Sequence, residues 1–355
     1  MARIDRTVQS DGSTSLLWAA PLVCLLLYGR FLEAGLGPAR WDAAAYPLLA
    51  FATQIVNLFL LAAVARRLDG ESAAWFWAPL IWIGQGALAG PMTAPDGYGH
   101  LLAATVIATG LILHDRAGAG GGPMVTVAHW AVFLGGLAAT GECAVYPAIA
   151  LAFSAARPLP MRRAGIRHPW FMMLVSLLVL GSGAGTHSLP GSSALGYLYC
   201  AVWPACSEPY GMAAAPGGIA AAAVLVASLG ALAQRGEAAR TRGPFWFGLA
   251  WFAMALTPHL FEAGGVSLRH LAAPSAGIAI AIGQLIAPAL ECPVLGCRLK
   301  ASLFLALYLP AGWLNALRVS SIPATQARQP AGWVAREPGI TGKALDTGEG
   351  FGSQP

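Results

Sequence analysis

Charge is scarce in this sequence. Charged residues make up 10% of the 355 and hydrophobic residues 57%, where soluble domains carry about 25% and 45–50%. Water is excluded as the main solvent of the fold. The net charge is +5, but the 21 basic residues sit between apolar runs and line no single face. The continuous basic surface of a nucleic-acid-binding protein is therefore missing. The six cysteines (Cys24, Cys143, Cys200, Cys206, Cys292 and Cys297) form no CxxC pair and have no histidine at zinc spacing. That argues against a cysteine-based structural metal site. Cys200 and Cys206 fall in one outer loop and could pair; buried free thiols are the plainer reading. Arg3 and Arg6 precede an apolar run from Leu16 to Tyr28. No small-x-small cleavage site followed by a soluble domain comes after it, so it reads as an uncleaved segment.

What the sequence does have is long apolar runs. A bilayer core about 30 Å thick needs roughly 20 helical residues, and fewer where a helix enters partway. By that measure segments fall near residues 14–29, 43–65, 73–90, 98–113, 124–140, 143–156, 169–185, 213–233, 244–261, 271–290 and 301–317. The expectation is an all-α polytopic bundle over residues 1–317 with about 10 to 11 segments. The runs at 124–140 and 143–156 are separated by little more than Gly141 and Glu142 and predict a tight hairpin. The glycine run Gly118–Gly122 predicts a flexible loop, and residues 318–355 a flexible tail.

Basic residues orient such a bundle, because they are retained in cytoplasmic loops. With the N-terminus inside, 14 basic residues fall in inner loops and three (Arg30, Arg40, Arg269) in outer ones, leaving four in the tail. The same assignment puts Glu33, Asp42, Asp96, Glu142, Glu208 and Glu262 on the outer side, with His100, His187, His259 and His270. Any chemistry is expected on that face.

The stretch from Phe247 to Gly283, with Thr257-Pro258, then Arg269-His270-Leu271, then Pro274-Ser275-Ala276-Gly277, resembles a late segment of the GT-C membrane glycosyltransferases. The resemblance is nearest to the O-mannosyltransferase-like branch often fused to tetratricopeptide repeats. Three further pieces fall in the order of that family. They are Tyr46–Leu68 ending in Arg66-Arg67, Pro91–Leu113 with Asp96 before Leu101-Leu102, and Leu137–Phe153 with Glu142 retained and Gly141 where the family has lysine. A stretch ending in Trp203-Pro204 with Tyr210 is a looser match.

The resemblance implies a GT-C-like fold, a polyprenyl-phosphate sugar donor, a protein or glycan acceptor on the outer face, and a carboxylate general base. It gives the chain no nucleic-acid partner. High Ala, Gly and Arg content adds the expectation of a bacterial inner membrane, with the site on the periplasmic side. The family's acid lies in a long first outer loop; here that loop spans Arg30 to Asp42 and contains no adjacent acidic pair. Ala20–Pro38 resembles the stretch that follows the family's catalytic loop, and on that alignment the first helix and its acid would be missing. A catalytically degenerate relative, acting as a membrane scaffold or lipid-binding subunit, is the alternative; a transporter ranks below both, since no internal repeat is evident.

Several residues carry candidate roles under this reading. Asp42, Glu33 and Glu142 are the candidate catalytic carboxylates, against solvated loop charges for the first two and a helix-turn cap for Glu142. Arg269 with His270 is the candidate donor-phosphate site, against an interfacial anchor. Asp96, His100, His259 and Glu262 are candidate substrate contacts. Asp96 and His100 could orient an acceptor hydroxyl or hold a divalent ion, yet two ligands make no site, and a helix start with the acid near the positive dipole end explains them as well. No metal ligand is assigned. His129 is expected to be hydrogen-bonded inside the bundle, and Trp75, Trp77 and Trp82 to pack or lie at the interface.

Overall fold

The computed structural model describes residues 21–26, 41–68, 73–88, 91–92, 97–157, 167–183, 238–260 and 268–320. Among the described residues every regular element is helical and no strand occurs. In chain order the α-helices are α1 (Trp41–Leu68), α2 (Ala74–Ile83), α3 (Tyr98–Gly118), α4 (Gly122–Ala139), α5 (Tyr146–Ala156), α6 (Arg167–Gly183), α7 (Ala238–Leu260), α8 (Ala272–Glu291) and α9 (Leu295–Ser320). Short 3-10 turns lie at Gly86–Leu88, Gly141–Val145 and Leu268–Leu271. Residues 21–26 are also helical. The segment expected at 213–233, the Cys200 and Cys206 loop and the tail lie outside the described residues.

Among the described residues, four stretches are long and apolar enough to cross a membrane: Leu48–Leu68, Tyr98–Gly118, Gly122–Ala139 and Ala272–Glu291. They differ in what surrounds them. In α8, 89% of the apolar window is buried in protein, against 17% in α4. Helix α8 is therefore the core of the bundle, packed against α7 and α2. Helix α4 turns Met124, Val127 and Leu134 outward, and Leu299, Leu303 and Leu307 make a similar exposed row on α9. Such rows are a liability in water and ordinary against lipid.

Small residues let the helices close on one another. A Cβ at Gly277 would stand 2.5 Å from the Gly248 carbonyl oxygen, and a Cβ at Gly248 equally close to that of Gly277. The backbones of α7 and α8 thus touch, as small residues permit where lipid gives no hydrophobic drive for helices to associate. Glycine plays the same part where Gly312 of α9 meets Gly84 at the end of α2, and where Gly110 of α3 meets the Tyr146 ring.

Buried polar side chains join the rest. Asn57 of α1 donates to the Leu101 carbonyl at 3.0 Å and accepts from Thr105 at 2.7 Å. Trp82 donates to Ser275 at 2.9 Å and the Ala272 carbonyl at 3.1 Å, tying α2 to the start of α8. His129 of α4 contacts the Tyr146 hydroxyl, and His114 of α3 lies 2.7 Å from Ser154 of α5. His129 is fully buried and engaged inside the bundle, as its position within an apolar run predicts.

Most boundaries follow the sequence, and the departures have local causes. Helix α3 runs five residues past Leu113, through His114 and Asp115. Asp115 can stay in the helix because its two carboxylate oxygens meet Arg67, at 3.0 Å, and Arg157. The Arg157 guanidinium also lies over the Phe153 ring, 5.4 Å from its centre. One aspartate thus clamps the ends of α1, α3 and α5. The glycine run after α3 is a hydrogen-bonded turn, in which the Gly121 amide reaches the Arg116 carbonyl at 2.9 Å. Gly120 sits at φ +90°, a conformation that favours glycine.

Two stability outcomes follow from this packing. Gly277→Leu is expected to lower stability in detergent by about 3 kcal/mol. Gly135→Ala, which enters open space, should leave it unchanged or raise it by ~0.5 to 1 kcal/mol. Equal thermal midpoints for the two would discard the close-contact account of α7 and α8. Asp115→Ala leaves two guanidinium groups facing one another and should cost about 3 kcal/mol, read by the same melts. A further Arg157→Leu change should recover part of that loss.

Candidate functional site

One end of the bundle gathers polar residues from four separate stretches of chain. His100 lies in the first turn of α3, just after the helix begins at Tyr98. Glu142 lies in the 3-10 turn Gly141–Val145, the tight connection from α4 to α5. Thr140, extended at the end of α4, stops that helix and receives the Glu142 amide on its hydroxyl at 3.4 Å. His259 is in the last turn of α7, directly after Pro258. His270 is in the 3-10 turn that leads into α8.

These side chains converge. Nδ1 of His100 contacts one carboxylate oxygen of Glu142, and Nε2 of His259 lies 3.7 Å from the other. The His259 and His270 rings stack, with centres 4.5 Å apart and planes 6° from parallel. The His100 ring centre is 4.8 Å from that of His270 and 5.7 Å from that of His259. All three histidines are buried, while Glu142 keeps a thin exposed edge. Burial pushes the Glu142 carboxyl up, but the neighbouring imidazoles of His100 and His259 outweigh it and draw it down to about 2. The carboxylate is thus held as an anion among imidazoles, which answers the cost of placing it beside a bilayer. Its side chain turns toward histidines from α3 and α7, so it does more than cap its own turn.

The arrangement unites residues expected to have three different tasks. Glu142 is a candidate catalytic group, His100 and His259 are candidate substrate contacts, and His270 is a candidate phosphate contact. The structure makes them neighbours. Arg269 is on the backbone of the same turn as His270, and Asp42 is in the first turn of α1; their side chains lie outside the described set. Glu33, Asp96 and Glu262 also lie outside the described residues. The described partners of His100 come from far along the chain.

Chemically, a carboxylate between imidazoles can orient them, share a proton with them, or ligate a metal with them. The three atoms nearest one another are Nδ1 or Nε2 of His100 and His259 and an oxygen of Glu142, all within 4.8 Å. The second polar cluster, Arg67–Asp115–Arg157, is at the opposite ends of α1, α3 and α5 and is an ion-pair clamp, with one carboxylate shared by two guanidinium groups. Sequence reading puts Arg67 and Arg157 in inner loops and pairs neither with Asp115. Comparison with family models, curated proteins and solved structures gives no match.

The cluster should behave as one energetic unit. In thermal melts, Glu142→Gln and His259→Ala are each expected to lower stability, and the double variant to lose less than the sum by about 1 kcal/mol. Strict additivity would mean that the two side chains do not interact.

Proposed function

We propose that this protein binds a polyprenyl-phosphate-linked sugar at the glutamate–histidine end of its bundle and passes the sugar to an acceptor hydroxyl. The observation that carries the proposal is the contact of Glu142 with His100 and His259, at the end where Arg269 and His270 enter α8. The fold in this reading is GT-C-like, with about 10 to 11 segments in a bacterial inner membrane. Sidedness follows from charge: Arg66, Arg67, Arg116, Arg157, Arg298 and Lys300 all belong to the opposite end. By the tendency of basic residues to stay in the cytoplasm, the histidine end faces the periplasm.

The chemistry fits the residues. Arg269 supplies a guanidinium suited to two phosphate oxygens, and its turn precedes the positive end of the α8 dipole. In the transfer step the bond from the sugar's anomeric carbon to the phosphate oxygen breaks, and a bond to the acceptor oxygen forms. The acceptor proton passes to an imidazole of the cluster, which Glu142 orients and stabilises as it becomes positive. Polyprenyl phosphate leaves with the electron pair of the broken bond. Neither nucleotide nor nucleic acid enters the scheme.

A second reading has its own support. The stretch from Arg30 to Asp42 contains two acids, Glu33 and Asp42, and no adjacent pair. A relative that keeps the donor site and has lost turnover, acting as a lipid-binding subunit, would have this pattern.

The test is turnover of a polyprenyl-phosphate sugar by the purified chain in nanodiscs, followed as release of free polyprenyl phosphate. Wild-type turnover that falls roughly 10²- to 10⁴-fold in Glu142→Gln, with donor binding weakened in Arg269→Ala, is the expected result. Donor binding without turnover would favour the lipid-binding subunit, and an absence of donor binding would end both readings.

A further inference from the structure

We propose that His100, Glu142 and His259 form a binding site for a divalent transition-metal ion, with zinc the best match. The inference concerns the same end of the bundle but does not depend on sugar transfer; an ion can be held there whatever the reaction.

Geometry is the first argument. One ligand atom from each of the three residues lies within 4.8 Å of the other two, and Glu142 is 3.7 Å from His259. In a tetrahedral zinc site, with bonds of about 2.0 to 2.1 Å, neighbouring ligand atoms stand roughly 3.4 Å apart. Closing the remaining gap takes side-chain rotations and leaves the helices where they are.

Direction is the second. Nδ1 of His100 touches the carboxylate, yet among the described residues neither that nitrogen nor Oε2 of Glu142 has a hydrogen bond of proper direction. Both atoms are buried. Buried nitrogen and carboxylate lone pairs without donors are costly, and a cation between them would satisfy both at once. Atoms that crowd together without pointing at one another are what ligands converging on a common centre look like.

The donor set is the third. Two imidazoles and one carboxylate suit zinc and its neighbours, whereas magnesium and calcium favour all-oxygen surroundings. Two histidines with a glutamate also leave a coordination position for an oxygen ligand, as in zinc sites that bind water. An acceptor hydroxyl or a phosphate oxygen has the same donor chemistry, and a hydroxyl held there loses its proton more readily. His270, stacked on His259, fixes the orientation of a ligating ring from outside the ligand set.

The experiment uses the full chain in detergent, stripped with chelator, dialysed against zinc or cobalt, and measured by elemental mass spectrometry and visible absorption. The expected result is about one ion per chain, with the intense visible bands of low-coordinate cobalt. Metal affinity should fall at least tenfold in His100→Ala, Glu142→Gln and His259→Ala, and remain unchanged in Gly135→Ala. Zinc should also raise the thermal midpoint of the wild type and not of the three variants. The wild-type cobalt spectrum and zinc-dependent melt stand even if a variant fails to fold. Absence of bound metal in the wild type, or full occupancy retained in both histidine variants, would overturn the proposal. Metal binding without sugar turnover would count against the transfer reading alone, and turnover by metal-free protein that takes up no ion would count against this one alone.

Discussion

Where α7 crosses α8, the backbone of each helix fills the space that a side chain of the other would need, at Gly248 and Gly277. This contact brings two helices together along their length, and α8 then serves as the surface on which α2 and α9 pack. Its consequence at the histidine end is direct. The last turn of α7 carries His259, and the turn before α8 carries His270, so helices in backbone contact bring their imidazoles into stacking distance. Bulk at either glycine would separate the helices and the histidines together.

The two polar ends solve one electrostatic problem in different ways. At the arginine end, a single aspartate is divided between two guanidinium groups, which locks three helix ends and leaves each carboxylate oxygen engaged. At the glutamate–histidine end, a single carboxylate is divided between imidazoles, groups that can donate a proton, accept one, or ligate. Pairs of the first kind give anchorage, because a guanidinium remains charged in any setting. The second kind can change state at modest cost. Burial of both near a low-dielectric slab makes an unmatched charge expensive, so the lack of a guanidinium among the described partners of Glu142 points to reactivity more than to fastening.

Much of the helix pattern was legible in the sequence, because apolar runs of membrane length leave little choice of structure. Helices α1, α4, α6 and α8 begin and end within a few residues of the apolar runs that predict them. The α4–α5 hairpin follows from two runs with almost nothing between them. Charge misled at several helix ends for the same reason. His114 and Asp115 read as the end of a segment, and Arg298 and Lys300 as a loop before one, whereas α3 and α9 continue through them. A charged residue ends an apolar run in the sequence, but a helix continues through it where the charge is paired, as at Asp115, or exposed, as at Lys300. Convergence of the site was partly legible: alternation of segments put His100, Glu142, His259 and His270 on one side. Which of them touch depends on which helices are neighbours, and that is set by small residues such as Gly248 and Gly277, whose role a single sequence does not announce.

The position of Glu142 rests in turn on the bundle interior. Its 3-10 turn leads straight into Tyr146, the first residue of α5, whose ring is fully buried against Gly110 and whose hydroxyl meets His129. A side chain at Gly110 would collide with that ring at 2.6 Å. The turn is therefore tethered at one end by Thr140 and at the other by a tyrosine held between α3 and α4. A carboxylate on a free loop would spend much of its time in water, where it would neither orient imidazoles nor complete a ligand set. Four residues beyond it, an aromatic anchor removes that freedom, and preorganisation of this kind is what either proton transfer or metal binding at the site requires.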